Sequence, residues 1–357
     1  MSKVAVIFTG GTISMVANAE AGGKVPTLDG AAILARAPGI DAIADLDIID
    51  LGRTPASHFS FEQLFEIWGE IRRCQADPTI AGVVVVQGTD VIEETAFFWD
   101  LLLDGDGPVV VTGAMRAASD PNDDGPDNLR DAVRCAASSK LRGQGVVVVL
   151  DRTINQADDV TKTHASALDT FQSLNVGALG RVDGARVALA RSRGPRRSVS
   201  TDRAADGVQL VTAHVAMDGS QLAAAAERGA PGIVVEATGA GNTSARLLDA
   251  AVAAMGRGCS VVLATRAAAG AAGAGYAFPG GGATWIRAGA MLAGHLTGPK
   301  ARIALALGLG AGLHHDGLAG LLADPPGWGP VIDTAPRPGA PRGAEAPGGP
   351  TPTATIG

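Results

Sequence analysis

Val83 to Val86 and Val146 to Leu150 are unbroken apolar runs rich in β-branched residues, and Val4 to Phe8 is a third run of the same kind. A strand without polar alternation has no face to offer water, so each run reads as a parallel strand covered on both sides. Segments with helical spacing lie between and after them. Phe61, Leu64, Trp68 and Ile71 mark a helix over Phe61 to Arg73. Ile92 to Leu103 and Pro126 to Ser138 mark two more, the second with its proline in the first turn. Strand and helix in alternation predict an α/β fold, a mainly parallel sheet with flanking helices.

Each run leads into residues that can carry chemistry. The first is followed directly by Thr9-Gly10-Gly11-Thr12-Ile13-Ser14. Two glycines let the backbone turn sharply and leave its N–H groups uncovered, which delivers Thr12 to the sheet edge where open α/β folds bind substrates. A phosphate cradle is excluded, because no Gly-Lys-Ser/Thr follows and the spacing is not Gly-x-Gly-x-x-Gly. The second run ends in Gln87-Gly88-Thr89-Asp90, again a glycine before a threonine, with a carboxylate in the loop. Glu93 and Glu94 fall where the next helix begins. They read as dipole-matched surface residues rather than a catalytic pair, since neighbours on a helix point apart. Beyond the third run, Asp159-Val160-Thr161-Lys162-Thr163 places a lysine in what reads as a third strand-end loop. Alone, Lys162 is a solvated charge. Held near Thr89 and Asp90 it is a candidate general base, although Asp90 favours its charged form.

Taken in order, these segments resemble the bacterial-type L-asparaginases, threonine amidohydrolases that convert asparagine to aspartate and ammonia. The resemblance covers roughly residues 3 to 323. It rests on Thr9 to Ile13, Gln87 to Asp90 with Glu93 to Ala96, and Thr112-Gly113-Ala114-Met115-Arg116. Asp124-Gly125-Pro126 with Asn128-Leu129, Asp159 to Thr163, and Phe171-Gln172-Ser173 extend it. It implies Thr12 as the nucleophile, and a hydrogen-bonded cluster of Thr89, Lys162 and Asp90. Asp90 would also receive the substrate ammonium and Ser57 its α-carboxylate, with the Ala114 backbone at the side-chain amide. Gly11, Gly88 and His58 complete the substrate-binding set on the same loops. Asn242, in Gly239-Ala240-Gly241-Asn242, would reach in from a neighbouring subunit of a dimer of dimers.

The chain departs from the family pattern in places. Many members carry a tyrosine in the lid after the first motif; the lid here, Met15 to Thr27, has none, and Tyr276 is the chain's single tyrosine. Ser14, or another residue of the lid that the sequence does not single out, is the expected substitute. Gln87 and Val91 replace a frequent histidine and threonine, and Thr265-Arg266-Ala267-Ala268-Ala269-Gly270 lacks the usual polar character. The same residues also admit hydrolysis of glutamine or an N-substituted asparagine, or an amino acid-binding homologue of weak activity.

A length of 357 residues suggests two domains. The large one is expected over residues 1–191, with an Arg/Pro/Ser/Gly-rich linker over 192–207 whose Arg191, Arg193, Arg196 and Arg197 read as solvated. A smaller α/β domain follows over 208–324, with strands near Gln209 to Val215, Gly232 to Ala237 and Ser260 to Thr265. Its helices are expected near Ser244 to Gly256 and Lys300 to Leu307. Residues 325–357, rich in Pro, Gly and Ala, read as a disordered tail. A net charge of −7 argues against nucleic acid as a partner. Cys74, Cys135 and Cys259 have no metal spacing and read as buried thiols in a cytoplasmic protein. His314-His315 reads as a structural loop. No membrane segment is expected, and neither metal nor organic cofactor is called for.

Overall fold

The computed structural model describes residues 1–328. The chain opens with β1 (Lys3–Phe8), a hairpin of β2 (Met15–Asn18) and β3 (Gly23–Pro26), α1 (Gly30–Ala35) and β4 (Asp45–Asp50). It continues through α2 (Phe61–Ala76), β5 (Ile80–Val86), α3 (Ile92–Leu102), β6 (Val109–Thr112), α4 (Gly125–Ala136) and β7 (Val146–Leu150). Short strands follow: β8 (Thr153–Gln156), β9 (Val160–Lys162), β10 (Phe171–Ser173), β11 (Gly180–Asp183) and β12 (Arg186–Leu189). The second unit runs β13 (Gln209–Thr212), α5 (Ser220–Glu227), β14 (Gly232–Ala237), α6 (Ala245–Met255), β15 (Ser260–Thr265), α7 (Gly282–Arg287) and β16 (Met291–Leu292). Helices α8 (Gly298–Gly310) and α9 (His315–Leu322) complete it.

An eight-stranded sheet forms in the order β12-β11-β8-β7-β6-β5-β1-β4. From β4 to β7 it is parallel, and β8, β11 and β12 add antiparallel strands at one side. The apolar runs sit where both faces are covered. Ala5, Ile7, Val83 and Val85 pack into a cluster with α2, α3 and α8, while Val4, Val6, Phe8, Val84 and Val86 pack into another with α4. Alternate residues of one strand thus feed two cores, and no position is left for a polar residue. Helix α2 starts on a reciprocal capping box between Ser60 and Gln63 and buries Leu64, Ile67, Trp68, Ile71 and Cys74. It ends just before Asp77-Pro78, where the backbone is biased out of the helical region.

The second sheet is β13-β14-β15-β16, parallel throughout. Its outer face packs on α5, α6 and α7, with Trp285 buried. Its inner face is not separate from the first unit. Val208, Val234, Val262, Met291 and the apolar residues of α8 and α9 belong to the same cluster as α2 and α3.

Of the four arginines expected to be solvated, Arg193 and Arg197 lie inside and Arg191 and Arg196 are half-buried. Arg193 is 2% exposed and Asp100 and Asp158 are 1% and 2% exposed. Arg193 forks onto Asp100 at 2.8 and 2.7 Å and reaches Asp158 at 3.0 Å. Arg197, also buried, faces Asp158 at 4.0 Å and pairs with Asp324, which holds His295 at 2.6 Å. Arg196 donates to the Asp100 carbonyl at 2.9 Å. Composition alone made these arginines look solvated; what it lacked was the position of the acids, scattered from residue 100 to 324. Within the expected tail, Trp328 is held by the fold. Trp328 stacks on His295 at 4.6 Å between centroids and donates its indole N–H to Asp158 at 2.9 Å. Residues 329–357 lie outside the described residues. The three cysteines are buried and free, and burial pushes the Cys259 thiol up to about 11.

Burial alone would raise the Asp158 carboxyl, but Arg193 and Arg197 outweigh it and hold it below the ordinary value. Its contribution to stability is therefore complete above the unfolded value of about 3.9 and is lost as pH falls through the lower folded value. Arg193→Met removes the cation that the two buried acids share. It should cost about 3–5 kcal/mol in urea unfolding at neutral pH. A midpoint unchanged from the parent would contradict the clamp.

Candidate active site

The order of the main sheet reverses beside β1. From β1 the chain passes outward to β4, then returns to the other side of β1 as β5. Open α/β sheets bind ligands at the carboxyl ends of strands flanking such a reversal. The register aligns Phe8 with Asp50 on one side and with Val86 on the other, and Val86 with Thr112. The segments that follow these four residues carry Thr12, Ser57, Thr89 and Ala114. One sheet edge therefore gathers all four.

Glycine sets how closely they meet. At Gly11, φ is 94°, and an added Cβ would stand 2.2 Å from the Gly88 nitrogen. The two backbones touch where side chains would separate them, so Thr12 and Thr89 each follow a residue of the contact. A Cβ on Gly88 would meet Ala56 at 2.9 Å, which brings the Ser57 turn against the same point. Gly113 completes the approach, its Cβ position 2.5 Å from the Gln87 carbonyl and 3.2 Å from the Thr89 methyl.

Lys162 arrives by a route different from the expected one. After β7 the chain turns on Asp151 and Arg152, both left-handed (φ 45° and 63°), and β8 runs back antiparallel until Gln156 faces Val147. The lysine is thus not on a strand-end loop of the main sheet. It ends β9, which pairs with β10 beside α3. From there its ammonium donates to Thr89 Oγ1 at 3.0 Å and to Asp90 Oδ1 at 3.1 Å. Thr89 is buried, Asp90 is exposed and Lys162 is half-buried. The cluster of three expected from separate segments is present.

Other calls divide. Ser14 does not stand free to replace a lid tyrosine: it is fully buried, and its hydroxyl donates to the Gly11 carbonyl at 2.7 Å, bracing the turn before Thr12. The segment expected to be a lid forms the β2–β3 hairpin, tied down by Thr27 and Leu28 N–H groups on the Ser14 carbonyl. Glu94 is not a surface residue. It lines a cavity of about 290 Å³ beside Ser57, Thr95 and Arg302, and burial raises its carboxyl above the usual range. Ser57 and His58 are exposed on a short turn. Asn242 closes a tight turn with Thr238, and its Oδ1 is buried without a partner among the described residues. A cavity of about 910 Å³ lies at the other end of the sheet near Gly69, Ile80 and Gly107, and no candidate residue lines it. Geometry rather than volume marks the site.

Two supports escaped sequence reasoning. Asp124 accepts from the Met115 and Arg116 N–H groups at 2.8–3.1 Å, and Asn128 donates to the Gly113 carbonyl at 3.0 Å. Together they fix the Gly113–Arg116 turn, with Ala114 fully buried. The sequence signal was their four-residue spacing at a helix start. Behind Thr89, Gln87 is buried and accepts from the Thr95 hydroxyl at 3.0 Å.

Residues 3–194 match the family model described as Asparaginase, N-terminal, and residues 207–322 match the Glutaminase/Asparaginase C-terminal domain. The chain belongs to the asparaginase family. It is 32% identical to an L-asparaginase of Bacillus licheniformis, over 85% of this chain and 94% of that one. It is 35% identical to a probable L-asparaginase of Deinococcus radiodurans, over 87% and 94%. The structure superposes on a probable cytoplasmic L-asparaginase from Campylobacter jejuni with a TM-score of 0.81 and 28% identity, covering 90% of this chain and 99% of the other. The family is one of amidohydrolases. This asparaginase-family chain has no helix long and apolar enough to cross a membrane, and no cluster of metal-ligating side chains, among the described residues.

Gly11→Ala should separate the two threonine-bearing turns. The strained φ and the backbone clash together cost about 2–5 kcal/mol. The folded fraction that remains should lose amide hydrolysis, read as ammonia release per folded molecule. An alanine enzyme with parental stability and rate would contradict the close approach.

Proposed function

We propose that the protein hydrolyses the side-chain amide of L-asparagine to L-aspartate and ammonia, with Thr12 as nucleophile. The observation that carries this reading is the placement of Lys162 on Thr89 and Asp90, one glycine contact away from Thr12. Amide cleavage needs a nucleophile, a proton carrier and donors for the developing oxyanion. Thr12 Oγ1 attacks the amide carbon and gives up its proton. Thr89 relays the proton to the Lys162 amine acting as general base, and Asp90 pairs with the ammonium so formed. The leaving nitrogen takes that proton and departs as ammonia, which leaves an acyl ester on Thr12. Water, deprotonated through the same cluster, cleaves the ester and releases aspartate. The buried Ala114 turn supplies backbone beside the amide. Ser57 and Asp90 serve the two charged ends of the substrate, with Gly11, Gly88 and His58 around them.

The same reading includes a neighbouring copy of the chain. Leaving the Asn242 Oδ1 buried and unpaired costs about 1–3 kcal/mol, which supports a partner supplied by assembly. In a closed dimer of dimers, each such contact is reciprocal. The two units divide near residues 192–207 in this reading, and the second is what brings Asn242 to the neighbour's pocket.

Thr12→Ala should fold as the parent does, bind aspartate, and release no ammonia from asparagine above background. A panel of asparagine, glutamine and N-substituted asparagines, scored by ammonia or amine release, ranks the substrates; asparagine is expected first. A Thr12→Ala enzyme with parental turnover would falsify the nucleophile. Dilution through the dissociation of the oligomer should abolish turnover with it, and a fully active monomer by light scattering would remove Asn242 from the site.

A further inference from the structure

Lys300 is fully buried in α8, yet its ammonium ends in the other unit, where it donates to the carbonyl of Val160. Val160 is the first residue of β9 and Lys162 the last. One lysine thus holds the short strand that delivers another. The rest of that strand's approach is fixed from the same side. Asp158 is gripped by Arg193, Trp328 and Gln156, and Asp159 accepts from the Asn175 N–H and side chain and from the Val176 N–H. Asn175 in turn accepts from the Gly270 N–H at 2.8 Å, a second tie between the two units. Burial pushes the Lys300 amine below its ordinary range, and the charges of Glu93, Asp158, Asp159 and Glu94 offset only part of that.

A buried ammonium is costly, and an apolar side chain of similar volume would pack between α3 and α8 at lower cost. What an apolar residue cannot do is bond the Val160 carbonyl, which sits in a three-residue strand with β10 as its one ladder partner among the described residues. We propose that Lys300 is a positioning residue for amide hydrolysis: by holding the Val160 carbonyl from the second unit, it sets the reach of Lys162 to Thr89. The proposal rests on the reading of Lys162 as the proton carrier. Lys300 itself touches neither substrate nor reacting atoms, and its action runs through Lys162 alone.

A double-mutant cycle tests it on the full chain, with asparagine as substrate and rates expressed per folded molecule. Lys300→Met keeps an unbranched side chain one atom shorter and removes its donor. The expected result is a fall in kcat on the order of ten- to a hundredfold, as for displacement of a catalytic group by about an ångström, with KM changed by less than about threefold. In a Lys162→Met background, the same substitution should change kcat by less than about twofold, because the group it positions is gone. Equal losses in both backgrounds, or a lowered urea midpoint with kcat unchanged, overturn the proposal and leave the role of Lys162 intact. Full activity in Lys162→Met alone overturns the reading of Lys162, and this proposal with it. If Lys300→Met does not fold, Lys300→Gln, one atom shorter than lysine with a donor kept, enters the same cycle, with a smaller fall in kcat of about three- to tenfold expected that disappears in the Lys162→Met background. A Gln enzyme whose loss is the same with and without Lys162 overturns the proposal equally.

Discussion

Everything at the candidate site depends on two backbones being allowed to touch. The chain reverses direction across the sheet at β1 and β5, and at that reversal Gly11 lies against Gly88 with no room for a Cβ on either side. Two hydroxyl-bearing residues from turns 77 positions apart are thereby brought together without any long side chain bridging them. The rigidity comes from below. Thr9 donates its N–H and its hydroxyl to the Val86 carbonyl, and Gln87 donates to the Thr112 carbonyl, so the ladder of the sheet continues into the turns. A site built on extensions of strands is held within narrower limits than one built on free loops.

The second constraint is electrostatic and lies deeper. Arg193 joins an acid at the end of α3 to an acid just before β9, and Arg197 carries the chain of charges on to residues 324 and 295. Ion pairs of this kind seldom add much to stability over apolar packing, because desolvation offsets attraction. Their value is geometric. The fork of a guanidinium fixes its carboxylates in direction as well as distance, and here it fixes the segment that leads to Lys162.

Much of this was legible in the sequence, for reasons that differ by residue. Gly232 to Ala237 and Ser260 to Thr265 are strands with the boundaries expected, since a wholly buried strand has an apolar signature from end to end. The glycine–threonine turns were legible because the chemistry is local. Lys162 was expected in the right cluster but by the wrong path. The left-handed turn at Asp151-Arg152 contains no glycine, so nothing in the sequence announced that β8 would double back. The arginines at 193 and 197 were misread because a charge's partner is a tertiary fact. Nothing in the sequence singles out Lys300, which stands near the start of an apolar helix that is buried nearly all round. Asp124 and Asn128 were noticed as a pattern, and only the fold shows them holding the turn at Gly113.

The apolar cluster shared by α2, α3, α8 and the second sheet has a consequence for how such chains diversify. Two family models describe the halves separately, which suggests modules free to be exchanged between relatives. The packing says otherwise. Helix α8 fills a groove made by the first unit, crosses into it with a lysine, and leans Arg302 on the Phe61 ring at 5.6 Å. A foreign second half would bring its own ridge of side chains to that groove, and a mismatch there would be felt at β9 and at the lysine it carries. Inheritance of the two halves is therefore tied, and a graft between relatives should succeed only when the face of α8 travels together with the faces of α2 and α3 that receive it.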